Sequence, residues 1–518
     1  MPEKEKFIEQ VKTAYTFKGD YITIGGAIYN RQCIPGLPVS LPLKTLNRHG
    51  LIAGATGTGK TKTLQIIAEG LSSKSIPVLL MDVKGDLSGI ARPGNPNDKI
   101  NERHKKIGLP YQPSGFPVEL LSLSDEKGVR LRSTVSEFGP VLLSKILELN
   151  DTQAGFVSLI FKYCDDFKLP LLDLKDFKRV LQFISAEGKD EIEKNYGRIS
   201  TASVGTILRK VIEIEQQGAD KFFGEKSFEA EDLMRIDEKG YGIISIIRLT
   251  DIQDRPRLFS TFMLSLLAEI YSTYPEEGDL SQPKLVIFID EAHLIFKEAS
   301  KVLLEQIETI IKLIRSKGVG IFFCTQNPTD IPAPVLSQLG LKIQHALRAF
   351  TAKDRQMIKL TAENYPVSEF YKTDELLTSL GIGEAAISAL NEKGIPTTLV
   401  ATLLCAPKSR MDILDEGEID DLINRSQLVE KYNTAIDRES AYEILNRKIE
   451  RTTERAEIKT KPSTGKGDIR KSKEKSTLEA ILSSTATKQI GNTIAREITR
   501  GILGVLGLGG KSKRKSFF

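Results

Sequence analysis

Eight consecutive residues, Gly54-Ala-Thr-Gly-Thr-Gly-Lys-Thr61, have the types and spacing that grip a polyphosphate. They spell G-x-x-x-x-G-K-T in full. The run follows an apolar stretch that begins at Leu51 and precedes Leu64-Gln-Ile-Ile-Ala-Glu-Gly-Leu71, whose apolar residues recur with helical spacing. Strand, glycine loop and helix are the context in which this pattern makes a phosphate site. Glycines at 54, 57 and 59 take backbone angles closed to other residues, so successive N–H groups turn inward around an anion. The helix that opens at Gly59–Lys60 adds unpaired N–H groups and its positive dipole end. Lys60 suits the β- and γ-phosphates, and the Thr61 hydroxyl suits Mg2+. The run Gly54, Ala55, Thr56, Gly57, Thr58, Gly59, Lys60, Thr61 and Lys62 therefore reads as the cradle of a nucleoside triphosphate.

Hydrolysis needs more than a cradle. In Leu285-Val-Ile-Phe-Ile-Asp-Glu-Ala-His293 an apolar strand ends in two carboxylates. Asp290 is placed to hold Mg2+, directly or through water, and Glu291 to act as the general base on the attacking water. In Gly320-Ile-Phe-Phe-Cys-Thr-Gln-Asn-Pro328, Thr325 and Gln326 again fall at a strand end. The Gln326 amide is suited to orient the lytic water or sense the γ-phosphate, with ordinary capping as the plainer role. Met81-Asp-Val-Lys-Gly-Asp86 puts Asp82, Lys84 and Asp86 beside the nucleotide or its metal, unless they form a solvated turn. Arg315 and Arg348 are candidates for an arginine finger acting in a neighbouring subunit, where one cation stabilises charge on the transferred phosphoryl group. Surface ion pairing accounts for either equally well.

These residues require strands that end at one edge. The alternation of strand and helix from 50 to 360 indicates one α/β domain built on a parallel sheet. Residues 1–48 read as a short β segment, 49–138 as the first part of the core and 139–235 as a mainly helical insertion. The insertion accounts for the roughly 230 residues between Lys60 and Asp290. The core resumes over 236–406 and closes with a hairpin, followed by helices over 407–458, one of them from Leu428 to Arg455. A lysine-rich linker over 459–476 buries too little apolar surface to fold. An amphipathic, glycine-rich tail helix follows over 477–518.

Composition narrows the class. At 518 residues, 40% hydrophobic and 27% charged, the chain has the make-up of a soluble globular protein. No apolar run approaches a membrane span, and the charged start lacks a signal core. Four scattered cysteines without a C-x-x-C pair argue against zinc or a disulfide framework and fit a reducing cytoplasm. A net charge of +5 does not by itself imply nucleic acid.

The combination resembles the HerA–FtsK class of P-loop motors, and within it the YjgR-like group of HerA-like proteins. It rests on Leu51–Thr63, Met81–Gly89, Leu285–His293, Phe322–Pro328 and the isoleucine- and glycine-rich stretch Ile490–Gly504. The resemblance implies a RecA-like core, hydrolysis of ATP with Mg2+, a homohexameric ring and double-stranded DNA in its channel, worked by a translocase or helicase. HerA proper carries an N-terminal β-barrel that the segment before Gly50 is too short to supply, so a nuclease or other protein partner is left open. A two-lobed DEAH-type RNA helicase needs a second lobe, for which fewer than two hundred residues after Gln326 leave no room. The competing reading is an ATPase that remodels or scaffolds protein partners, since no base-stacking motif is visible and the chain has no Trp.

Overall fold

The computed structural model describes residues 3–252, 255–297, 301–434, 436 and 438–460. The linker and tail helix expected beyond residue 460 lie outside them. The chain forms two units: residues 1–132 with 226–435, and residues 133–225 with those described from 436 onward.

The first unit holds all twelve described strands: β1 (Tyr21–Tyr29), β2 (Gln32–Pro42), β3 (Gly50–Ala53), β4 (Val78–Asp82), β5 (Val118–Ser122), β6 (Val129–Arg130), β7 (Ile244–Arg248), β8 (Leu285–Ile289), β9 (Val319–Thr325), β10 (Leu341–Gln344), β11 (Glu384–Ser388) and β12 (Val400–Leu404). They make one sheet in the order β2-β1-β12-β11-β10-β3-β9-β8-β4-β7-β5-β6. Every neighbouring pair from β10 to β6 is parallel. From β10 to β2 the pairs are antiparallel. Parallel strands are covered on both faces, which is why they read as unbroken apolar runs. Each residue of β8 is at most 1% exposed. On one face Leu64, Ile67 and Leu71 of the helix Lys60–Ser72 join Ile52, Val78, Val286 and Phe322 in a core. Phe323 points the other way, as strand alternation requires, and its ring lies 5.6 Å from that of Phe296 in the helix His293–Lys297.

Strand order matters most for chemistry. β9 lies between β3 and β8, so the three motif-bearing ends stand side by side at the carboxyl edge, where ligands bind in open α/β sheets.

Two elements differ from the sequence reading. The segment before β1 contains a helix, Glu3–Tyr15, whose Phe7, Val11 and Tyr15 recur every four residues and are buried in the core. Its charged residues hide that stripe in the composition. The single helix expected from Leu428 to Arg455 is two helices, Gln427–Asn433 and Ala441–Thr460. The first ends where the Asn433 side chain turns to the backbone, accepting from the Arg130 N–H at 2.8 Å and donating to the Gly128 carbonyl at 2.9 Å.

The second unit is helical as far as it is described. It includes the helices Asp151–Asp166, Leu174–Ser185 and Thr201–Gln216, the first two opened by capping boxes at Asn150 and Asp173.

His49, just before β3, fastens the amino ends of the central strands. Its Nδ1 accepts from the Ile321 N–H at 3.0 Å, so Nε2 carries the proton and donates to the Ile311 carbonyl at 2.8 Å. Burial pushes its pKa down to about 4, against the Ile311 carbonyl and helped by the nearby Arg315 charge. The folded state holds the neutral ring, whereas the unfolded chain takes up a proton below about pH 6.5. Stability from His49 is therefore complete above that pH and is lost as pH falls toward 4, up to about 3 kcal/mol. His49→Ala should cost about 2–4 kcal/mol in urea denaturation at pH 7.5, because two buried backbone groups lose their partners. The gap to wild type should shrink at pH 5. An unchanged midpoint at pH 7.5 would refute this role.

Candidate active site

The phosphate loop is built tightly against its neighbours. Gly54 donates to the Thr325 carbonyl at 3.3 Å, and Ala55 donates to the Ala346 carbonyl at 2.9 Å. The loop is thus hung between the ends of β9 and β10. Gly54 has φ +152°, and a Cβ placed there would lie 2.5 Å from the His345 Cβ. Only glycine fits. Gly59, at φ +113°, begins the helix Lys60–Ser72, and the Gly383 N–H donates to the Thr58 carbonyl at 3.0 Å. The Thr58 hydroxyl closes the turn by donating to the Ala55 carbonyl at 2.7 Å.

Lys60 is 7% exposed and donates to the Gly54 and Ala55 carbonyls at 2.8 and 3.2 Å. Burial, with the like charge of Lys84, lowers its pKa. Thr61 lies in the first helical turn beside it. Lys62 faces elsewhere and donates to the Met411 carbonyl at 2.6 Å.

Across β9, Asp290 and Glu291 follow the end of β8. Asp290 is 2% exposed, and its Oδ2 has no hydrogen-bond partner. Burial above all raises its pKa to about 7, with the Lys84 charge opposing and the Glu291 charge assisting. A buried carboxylate oxygen without a donor is a group fitted to a cation. The Thr61 hydroxyl, in the first turn of the helix Lys60–Ser72, is a second hard-oxygen group of the kind that suits Mg2+. Glu291 is 5% exposed and has φ +46°, a backbone conformation rare outside glycine and asparagine. Its Oε1 is in contact with the Lys84 ammonium, and its Oε2 lies 3.2 Å from His293 Nδ1.

The β4 turn gathers Asp82, Lys84 and Asp86 at this edge, but they do different things. Asp82 is spent on the turn, accepting from the N–H groups of Gly85, Asp86 and Leu87 at 2.7, 3.2 and 3.0 Å. Burial raises its pKa to about 6 against those bonds. Lys84 leaves the turn toward Glu291. The Asp86 Oδ1 is buried without a partner.

Gln326 is exposed at the end of β9 and accepts from the Thr56 hydroxyl at 3.3 Å, so it stands at the tip of the phosphate loop. Thr325 instead donates to Asp330 at 2.7 Å. Arg348 is exposed on the same edge, two residues past Ala346. Arg315, also exposed, precedes β9 near His49 and so lies at the other end of the strands.

Sequence reading missed His345. It is fully buried beneath the loop, its Nε2 is 2.9 Å from the Thr63 hydroxyl, and its backbone N–H donates to the Ala53 carbonyl at 2.7 Å. Burial, with the Lys60 charge, lowers its pKa to about 4, so it supports the loop as a neutral ring. The polar Gln344-His345 pair at the end of an apolar strand was the available signal.

The model of the family Helicase HerA-like C-terminal matches residues 30–514. The DNA double-strand break repair helicase HerA of Sulfurisphaera tokodaii is 25% identical over 364 residues, 67% of this chain and 64% of that protein. The chain thus spans less than two thirds of that relative. The DNA import protein CedB of Sulfolobus acidocaldarius is 26% identical over 292 residues, 56% of this chain and 42% of its own. Among solved structures, the bacterial conjugative coupling protein TrwBdeltaN70 in its sulphate complex superposes with a TM-score of 0.51. It shares 14% identity and is covered over 94% of its length by 79% of this chain, a likeness of fold.

Proposed function

The chain belongs to the HerA-like helicase family and is a P-loop ATPase, and we propose that it is a motor that hydrolyses ATP with Mg2+ while moving double-stranded DNA through a homohexameric ring. The observation that carries the hydrolytic part is the strand order. It brings Lys60, Asp290, Glu291 and Gln326 from three parallel strands to one edge. Lys60 and the loop N–H groups bind the β- and γ-phosphates, and Thr61 with Asp290 holds Mg2+. When bound, the metal supplies neutralising charge to the phosphate oxygens. Glu291 takes the proton of the attacking water, and the Gln326 amide orients that water at the loop tip.

The DNA part rests on the family and on relatives named for DNA repair and DNA import. Among the described residues no helix is long and apolar enough to cross a membrane. ATP turnover measured with and without duplex DNA, at about 50 and 200 mM salt, tests this part. A DNA motor is stimulated, and less so at the higher salt as phosphate contacts are screened. Absence of both stimulation and salt-sensitive binding would overturn the DNA assignment and favour work on a protein partner.

A ring completes its sites across subunits. Arg348 and Arg315, at opposite ends of the strands, are the two finger candidates. Arg348→Ala or Arg315→Ala subunits mixed into wild-type rings should reduce activity by more than their share of the mixture, for whichever arginine acts in trans. Proportional loss for both would exclude them.

A further inference from the structure

Glu291 reaches the site already paired with a cation. Lys84 Nζ touches Oε1, and His293 Nδ1 stands 3.2 Å from Oε2. The ammonium lies against the carboxylate oxygen, in the space where that oxygen would meet water. The pair is nevertheless built to open. Lys84 is also drawn by the charges of Asp290 and Asp86, so its ammonium has other counter-charges to turn to when it leaves Glu291. The turn that carries Lys84 is fixed by Asp82 through three backbone N–H groups. The lysine stem is half-exposed, so the flexible side chain is the part free to move. Glu291 itself sits at φ +46°, a sparsely populated conformation of the kind that marks switch positions.

We propose that Lys84 is a positioning residue that restrains Glu291, so that opening of the Lys84–Glu291 pair gates hydrolysis. This rests on Glu291 being the general base proposed above. The pair is then a step on which DNA or a neighbouring subunit can act, by drawing Lys84 away.

The test compares steady-state ATP turnover of the full chain in wild type, Lys84→Met, Lys84→Arg, Glu291→Gln and the Lys84→Met/Glu291→Gln double variant. Nucleotide affinity is followed in parallel with a fluorescent ATP analogue. Lys84→Met should raise turnover without DNA roughly threefold to tenfold, the population shift expected when one partly exposed ion pair is released. KM should stay near wild type, and Lys84→Arg should return turnover toward the wild-type rate. The double variant should be as inactive as Glu291→Gln alone, showing that the gain passes through Glu291. Turnover of Lys84→Met at or below wild type overturns the restraint, as does loss of nucleotide affinity, which would make Lys84 part of the binding site. A double variant as active as Lys84→Met brings down the general-base reading instead. Wild-type protein without any ATP turnover removes the hydrolytic reading and the restraint together.

Discussion

Lys60→Ala should weaken ATP binding at least about a hundredfold while the protein stays folded. The amine is buried under the loop, where it donates to the Gly54 and Ala55 carbonyls. Each charge-assisted bond from such a group contributes about 1.5–3 kcal/mol. Losing two of them to phosphate oxygens therefore removes about 3 kcal/mol or more, which sets the hundredfold floor. The fold should survive because the loop is also hung from Thr325 and Ala346 and closed by Thr58. Lys60→Arg should not restore binding. A planar fork cannot replace a compact ammonium in a space bounded by two carbonyls. Titration with a fluorescent ATP analogue, alongside circular dichroism, checks both points. Near-native affinity in Lys60→Ala would place the nucleotide somewhere other than this loop.

What the sequence showed of this site follows from how local each piece is. The phosphate loop is a single covalent run, and its glycines, lysine and threonine have meaning at fixed offsets. The carboxylates of Asp290 and Glu291 were legible because five buried apolar residues point to a strand whose end must carry the chemistry. Non-local pairings leave no such trace. Lys84 and Glu291 are more than two hundred residues apart, and they meet because β4 and β8 are neighbours, with Met81 registered on Ile289. His345 lies beneath Gly54 because β10 is parallel to β3, with Gln344 opposite Ala53. Nothing in either segment alone names the other.

The same distinction explains the elements read differently. The helix Glu3–Tyr15 buries three side chains among many charges, and its value comes from a distant partner. There the Tyr15 hydroxyl donates to the Thr398 carbonyl at 2.8 Å and accepts from the Thr397 hydroxyl at 3.0 Å. Asp82 looked like a ligand because it ends a strand at the ligand edge. Its carboxylate is occupied three to five residues onward, as an aspartate before a Gly85 turn can be. The two arginines are symmetrical in the sequence and opposite in the fold, a difference set by the direction of β9 and β10 alone.

Glu291→Gln should leave ATP binding within about threefold of wild type and reduce turnover about 10²–10⁴-fold, the range that general-base catalysis contributes. The substitution keeps size and shape, so the backbone at φ +46° and the packing behind it face no new volume. It removes the negative charge that takes the proton, and with it the ion pair to Lys84. Two opposing effects on stability follow. A neutral amide no longer bears the desolvation of a buried carboxylate, but Lys84 loses its close counter-ion. Because Lys84 is half-exposed, water compensates most of that loss, and the net change should stay within about 1 kcal/mol. On the proposed reading, binding rests on Lys60, the loop N–H groups, Thr61 and Asp290; the change removes none of these groups and alters only the charge that Lys60 and Asp290 feel from Glu291. The discriminating measurement is therefore a pair: affinity for a fluorescent ATP analogue, and phosphate release in a single turnover. Retained affinity with lost release identifies Glu291 as the group that activates water. Release at the wild-type rate would move that role elsewhere, with Gln326 at the loop tip as the next residue to test.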